Sequence, residues 1–269
     1  MKDLTLGLCQ FKVTKDKNEN ILTALKYIEQ AASKGCNIIA LPEVFNCPYD
    51  NKFFHSFSEE EHTGETLNIL KKAALDFNVY IIGGSIIERE CNKLYNTSYI
   101  FSPEGKIIDK HRKVHLFDID IPNKITFKES DTLTPGDKLT VIDTPYCKIG
   151  IAICYDMRFP EMFKKMALLG AELIIIPAAF NMTTGPAHWD LTLRSRALDN
   201  QVFIAAISPA RDTSANYVAY GHSLLASPWG DIVSSLDEKP GLLVCKLDSK
   251  LLCDVREQLP LLKHSKKAR

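Results

Sequence analysis

The chain has 269 residues, 45% hydrophobic and 25% charged, the balance of a globular protein able to bury a sizeable core. Lysine plus arginine equals aspartate plus glutamate at 33 each, which argues against a nucleic-acid or other polyanionic partner. No apolar run approaches the roughly 18–20 residues of a membrane helix, and the opening Met-Lys-Asp-Leu-Thr-Leu-Gly-Leu is too short and too alternating for a signal-peptide core.

With no linker, repeat or low-complexity stretch, residues 1–269 read as one domain. Residues 4–9 alternate, with Leu4, Leu6 and Leu8 on one face, and predict a strand. Residues 18–33 carry Ile21, Leu25, Ile28 and Ala32 at helical spacing, and Gly35 can end that helix. A short strand follows at 37–41. Leu67, Leu70, Ala74 and Phe77 mark a second helix. Strands are expected at 79–87 and 94–101, then a Ser-Pro-Glu-Gly-Lys turn and a strand ending near His111.

In the second half an apolar run ends at Cys154. Pro160 opens a helix that Gly170 can close. A strand at 172–176, a helix through Trp189, Leu193 and Ala197, and a strand at 202–207 follow. Residues 223–226 and 231–234 flank Pro-Trp-Gly as a hairpin, and 242–247 read as a last strand. The two halves resemble each other. Two sheets back to back with helices outside would cover every apolar face.

Eight scattered cysteines with no Cys-x-x-Cys read as reduced thiols of a cytosolic protein. The sequons at Asn96 and Asn181 read as chance, and the basic tail 263–269 as a solvated end. His111 and His115 lie four apart, but in a strand and turn with no completing zinc ligand, so packing or hydrogen bonding is expected of them. Gly83-Gly84 lacks the later glycine of a dinucleotide fingerprint. Gly221-His222-Ser223-Leu224-Leu225 lacks the second glycine of a serine-nucleophile elbow.

Three apolar runs end in a residue of catalytic type. Asn-Ile-Ile-Ala-Leu-Pro leads to Glu43, Lys-Ile-Ile-Asp-Lys-His-Arg to Lys113, and Lys-Ile-Gly-Ile-Ala-Ile to Cys154. Taken singly, each admits a plainer reading: a salt bridge or cap for Glu43, a solvated face for Lys113, a small core residue for Cys154. Their common relation to strand ends, where open sheets put their ligands, is what points to chemistry.

These segments resemble the nitrilase superfamily of carbon–nitrogen hydrolases, whose Glu-Lys-Cys triad matches Leu-Pro-Glu-Val-Phe (41–45), His-Arg-Lys-Val-His-Leu-Phe (111–117) and Cys-Tyr-Asp-Met-Arg-Phe-Pro-Glu (154–161). The likeness runs the length of the chain in order. The segments at 45–49, 115–122, 127–130, 180–189 and 208–211 are similar to the omega-amidase branch. The resemblance implies an α/β fold, a four-layer α-β-β-α sandwich, acting without cofactor or metal as a homodimer. A cytoplasmic location, with a mitochondrial pool left open, is expected only from the lack of a recognisable export signal.

It further implies that Cys154 attacks an amide carbon, that Glu43 moves the proton, and that Lys113 with the Tyr155 N–H stabilises the oxyanion. Glu129 corresponds to a second carboxylate near the triad; sequence alone favours reading it as an exposed loop acid, and it ranks below the triad. The expected substrate is a small 2-oxo-dicarboxylic acid monoamide, such as 2-oxoglutaramate or 2-oxosuccinamate. Arg158 is the candidate for its distal carboxylate, or else a structural partner of Asp156 or Glu161. Tyr49 and Phe180 match pocket walls, and Thr184 could add a hydroxyl; each is otherwise ordinary packing. Other readings are an amidase for deaminated glutathione or N-carbamoyl compounds, a nitrile hydrolase, a Cys-His hydrolase using His115, His188 or His222, and a catalytically silent scaffold on the same fold.

Overall fold

The computed structural model describes residues 1–123 and 125–265. The first half runs β1 (Leu4–Gln10), α1 (Lys17–Ser33), β2 (Ile38–Ala40), α2 (Asn51–Phe57), α3 (Glu65–Phe77), β3 (Tyr80–Ile82), β4 (Ile86–Glu90), β5 (Lys93–Phe101) and β6 (Ile107–Arg112). A ribbon of β7 (Asp118–Ile121) and β8 (Ile125–Lys128) follows. Then come β9 (Thr140–Asp143), β10 (Lys148–Ile151), α4 (Pro160–Leu168), β11 (Leu173–Pro177), α5 (Gly185–Asn200), β12 (Phe203–Ile207), β13 (Leu224–Ala226), β14 (Ile232–Ser235), β15 (Gly241–Leu247), α6 (Ser249–Gln258) and α7 (Leu261–Ser265).

One sheet has the order β15-β1-β2-β3-β5-β4 with β6 on β5, and the other β14-β13-β12-β11-β10-β9. Their central strands are parallel, and both faces of each are apolar, so the strands read as nearly continuous Ile, Leu and Ala. Leu4, Leu6, Leu8, Ile38 and Ala40 of the first sheet meet Ile149, Ile151, Leu173 and Ile175 of the second. The alternate residues point outward. Cys9, Ile39 and Ile81 pack on Ala24 and Ile28 of α1 and Leu67 and Leu70 of α3. Ile174, Ile176 and Ile204 pack on Phe163 and Met166 of α4 and Trp189 and Leu193 of α5. The fold is therefore a four-layer α-β-β-α sandwich. Each fully buried Leu or Ile contributes roughly 1.5–3 kcal/mol.

The expected strand 79–87 is two strands. Gly83, Gly84 and Ser85 interrupt it, and β3 and β4 both pair with β5. Helices α2, α6 and α7, the ribbon β7–β8 and strand β9 were not expected; each is short and lacks an extended apolar period. Strand β15 leaves the second half to pair antiparallel with β1 along seven residues. Asn96 and Asn181 are buried, which removes both sequons from any modifying enzyme. Of the basic tail, residues 266–269 lie outside the described residues. Among the described residues, no helix is long and apolar enough to cross a membrane.

Candidate active site

Glu43 stands on a strained turn just past β2. Val44 after it has φ +47, a left-handed backbone that costs a β-branched residue about 1–2 kcal/mol. The break between β3 and β4 holds that turn. Ser85 Oγ accepts the Val44 N–H at 2.9 Å, the Ser85 N–H donates to Pro42 O at 3.1 Å, and the Phe45 N–H donates to Ser85 O at 3.2 Å. Gly84, at φ +56, comes so close that a Cβ there would collide with the Pro42 carbonyl. The glycine pair thus serves as a seat for the glutamate turn.

Lys113 follows β6. Its N–H donates to Asn96 O at 2.8 Å and its carbonyl accepts from the Gly136 N–H at 2.8 Å. Cys154 begins a short 3-10 segment, Cys154–Arg158, three residues past the end of β10, and has φ +45. Asp156 clamps that elbow. Its Oδ2 accepts the Ile153 N–H at 3.0 Å and lies 3.2 Å from His111 Nε2, while Oδ1 accepts the His115 N–H at 2.9 Å and lies 2.8 Å from His115 Nδ1. Burial opposes the Asp156 charge, but the hydrogen bonds from His111 and His115 outweigh it and hold the carboxyl below its ordinary range. The two histidines therefore support the nucleophile's turn.

The three strand ends converge in one buried network. Lys113 Nζ lies 2.9 Å from Glu43 Oε1 and 2.8 Å from Glu129 Oε2, and donates to Tyr49 OH at 3.3 Å. Glu129 is fully buried, not a loop acid at the surface. Its Oε1 accepts from Tyr49 OH at 2.7 Å, and its Oε2 from the Phe117 N–H at 2.6 Å. Glu43 Oε2 is buried without a hydrogen-bond partner, and the Cys154 thiol stands beside that carboxylate.

Burial raises the Glu43 carboxyl above its ordinary value, and Glu129 adds to the effect against the pull of Lys113. Burial and then the Glu43 charge push the Cys154 thiol well up. Burial works against the Lys113 ammonium too, yet Glu129 and Glu43 on either side hold it well above an ordinary lysine. The arrangement sets the thiol beside the unbonded oxygen of Glu43, with the Lys113 ammonium between two acids. Such a set can move a proton off sulfur as a bond forms to carbon, and can receive negative charge near the ammonium.

A cavity of about 320 Å³ opens onto this network, lined among others by Lys15, Glu43, Cys47, Tyr49, Ala179 and Tyr217. The Ala179 N–H lies within reach of the Cys154 thiol, and Tyr217 OH donates to Ala179 O. Tyr49 is both wall and member of the network. The Tyr155 ring packs edge-on against Phe117 and Phe159. Phe180 packs on Trp189 with the Arg158 guanidinium 5.0 Å above its ring. Arg158 is half-buried beside His188, Nη1 to Nδ1 3.3 Å, and pairs with neither Asp156 nor Glu161. Thr184 turns its hydroxyl to Asn181 Oδ1 at 3.3 Å and does not line the cavity. Asn96, Tyr217 and Asp156 were not anticipated, because a polar residue inside a strand or a loop tyrosine carries no local signal of where it points.

The sequence pattern of the carbon-nitrogen hydrolase family matches residues 5–257. The chain is 50% identical over 261 residues to the Omega-amidase NIT2-A of Xenopus laevis, covering 97% of this chain and 94% of that protein. It is 46% identical over 266 residues to the human Omega-amidase NIT2, at 99% and 96% coverage. The crystal structure of Saccharomyces cerevisiae Nit3, a member of branch 10 of the nitrilase superfamily, superposes with a TM-score of 0.89 at 40% identity, covering 97% of this chain and 95% of that one.

Proposed function

The chain belongs to the carbon–nitrogen hydrolase family, and from that premise we propose that it is a cysteine-dependent omega-amidase. It hydrolyses the amide of small 2-oxo-dicarboxylic acid monoamides, such as 2-oxoglutaramate and 2-oxosuccinamate, to the diacid and ammonia. The observation that carries the reading is the buried contact set of Glu43, Lys113 and Cys154 at three strand ends. The relatives named Omega-amidase support the substrate class.

In this reading Cys154 Sγ bonds to the amide carbon as its proton passes to Glu43. The carbonyl becomes an oxyanion, held by the Lys113 charge and the Tyr155 N–H. The 3.3 Å contact from Lys113 to Tyr49 is the longest of the ammonium's three, and is the one a developing oxyanion can take over. Glu43 returns the proton to nitrogen, the C–N bond breaks, and ammonia leaves a thioester on Cys154. Glu43 then takes a proton from water as its oxygen attacks the thioester carbon; collapse releases the acid and restores the thiol.

Arg158 meets the distal carboxylate by swinging from the rings of Phe180 and Tyr155, where one nitrogen alone has a hydrogen-bond partner among the described residues. Tyr49 shapes the pocket, whereas Phe180 and Thr184, expected beside it, stand outside the cavity's lining and act on it only through their neighbours. The proposal extends to a single-domain homodimer in the cytoplasm, with a mitochondrial pool as a second location. Sedimentation and cell fractionation test those two points. An ammonia-release screen across 2-oxo acid amides, glutamine, asparagine and carbamoyl compounds tests the substrate class, and preference for a carbamoyl compound would overturn it.

A further inference from the structure

Asn96 touches both carboxylates of the network and the backbone of its lysine. It is fully buried in β5, its side-chain nitrogen 2.9 Å from Glu43 Oε1 and 3.4 Å from Glu129 Oε1. Its backbone carbonyl accepts the Lys113 N–H at 2.8 Å. The orientation of the amide follows from its neighbours, since an oxygen turned toward two carboxylates would be repelled. The Asn96 Oδ1 left over has no hydrogen-bond partner. A buried carbonyl oxygen without a partner is a cost, and here it accompanies the placing of two N–H groups on two acids.

We propose that Asn96 is a positioning residue for the amide hydrolysis, fixing Glu43 through Oε1 so that Oε2 stays free for the Cys154 thiol. The inference rests on Glu43 being the general base. A carboxylate held by one donor can pivot about it; a second donor on the same oxygen fixes its plane. Lys113 is the first donor and Asn96 the second. During the reaction the Lys113 charge is drawn toward the oxyanion, while a neutral amide has no such competing demand. The groups facing Glu43 are Lys113 at the end of β6, Glu129 after β8, Cys154 after β10, and Tyr49 and Tyr217 in loops. Among them and Asn96, the amide is the one uncharged nitrogen donor to this carboxylate, and a donor to the charged form favours ionisation.

The experiment uses the full chain with Asn96→Ser, Asn96→Asp and Glu43→Gln. Circular dichroism and thermal melting identify the folded variants, and kcat, KM and the pH profile of kcat/KM are measured. Asn96→Ser should lower kcat about tenfold or more with KM nearly unchanged, and move the acid limb of kcat/KM up by about one pH unit, the size of one lost hydrogen bond to a charged group. Asn96→Asp has the native shape and carries the test if the serine variant does not fold; it should move the limb the same way, by adding a third carboxylate. A folded Asn96 variant with the wild-type acid limb, or with its loss confined to KM, overturns the positioning role. Glu43→Gln turning over normally overturns the base assignment instead. An inactive Glu43→Gln beside an unmoved Asn96→Ser profile sinks the role of Asn96 alone.

Discussion

Glu129 Oε2 lies 2.8 Å from Lys113 Nζ, with neither side chain exposed to solvent. A buried charge pair is weak evidence of net stabilisation, but removing one partner is costly, about 3–5 kcal/mol, because the other is left unpaired. Here Glu129 also accepts from Tyr49 OH and the Phe117 N–H. Glu129→Gln keeps the shape and removes the charge. It should cut turnover at least about tenfold while Tm falls only modestly, and Glu129→Ala should lower Tm much further. Ammonia release and thermal melting measure both. Equal turnover in Glu129→Gln and the parent would show that the charge is not needed.

Cys154→Ala should abolish ammonia release and leave the fold intact, since the site is packed around the elbow and not around the sulfur alone. With the parent enzyme and a slowly turned-over amide, mass spectrometry should find the acyl group on Cys154. Normal turnover by Cys154→Ala would end the thiol mechanism.

Arg158→Lys should raise KM for acidic amides more than for neutral ones, because a planar fork is replaced by a point charge. A factor of about ten between the two classes corresponds to the loss of one charge-assisted hydrogen bond. Equal losses for both classes would remove Arg158 from carboxylate recognition.

On acidification, activity should fail before the fold does. A general base must be ionised; burial lifts Glu43 above its ordinary 4.5, so kcat/KM is lost as pH falls through a value above that. Glu88 behaves in the opposite way. Burial opposes its charge, but hydrogen bonds from Arg112, Lys110 and Thr97 hold it down to about 2. A carboxyl depressed on folding adds stability above its unfolded value and loses it as pH falls through the folded one. Tm should therefore decline between 4.5 and about 2, and less steeply in Glu88→Gln. Between the two transitions the protein should be folded and inactive, and should regain full activity when returned to neutral pH.

Gly84→Ala should damage activity although residue 84 touches no reacting group. The new Cβ meets the Pro42 carbonyl in a left-handed backbone, and the turn carrying Glu43 has to shift. A loss of about 1–3 kcal/mol in stability, with a fall in kcat larger than any change in KM, is expected. Unchanged kinetics would mean that the turn is held elsewhere.

The strands and long helices were legible because burial on both faces of a sheet and on one face of a helix leaves a period in the chain. Leu4, Leu6 and Leu8 announced β1, and Ile21 and Ile28 announced α1. The reactive trio was legible because each member follows an apolar run. Asn96 was not, since its neighbours Thr97 and Ser98 are equally polar and equally buried, and nothing local tells a network hub from a sequon. The burial of Glu129 was hidden for a related reason. The acid sits in a polar loop, and it is the Phe117 N–H, Tyr49 and Lys113 from distant segments that enclose it. The pairing of β15 with β1 depends on two segments more than 230 residues apart, whose apolar patterns match many possible partners.

That last pairing has a consequence for how the molecule is made. The sheet that carries Glu43 and Lys113 keeps an open edge along β1 until residues 241–247 can reach it. On the ribosome the first half emerges with Leu4, Leu6 and Leu8 uncovered on one side and seven backbone positions of β1 unpaired on another, a template for the wrong strand. The amidase thus acquires its closed sheet only once residues 241–247 have been made, and nascent chains stalled short of β15 are the ones that chaperones should hold.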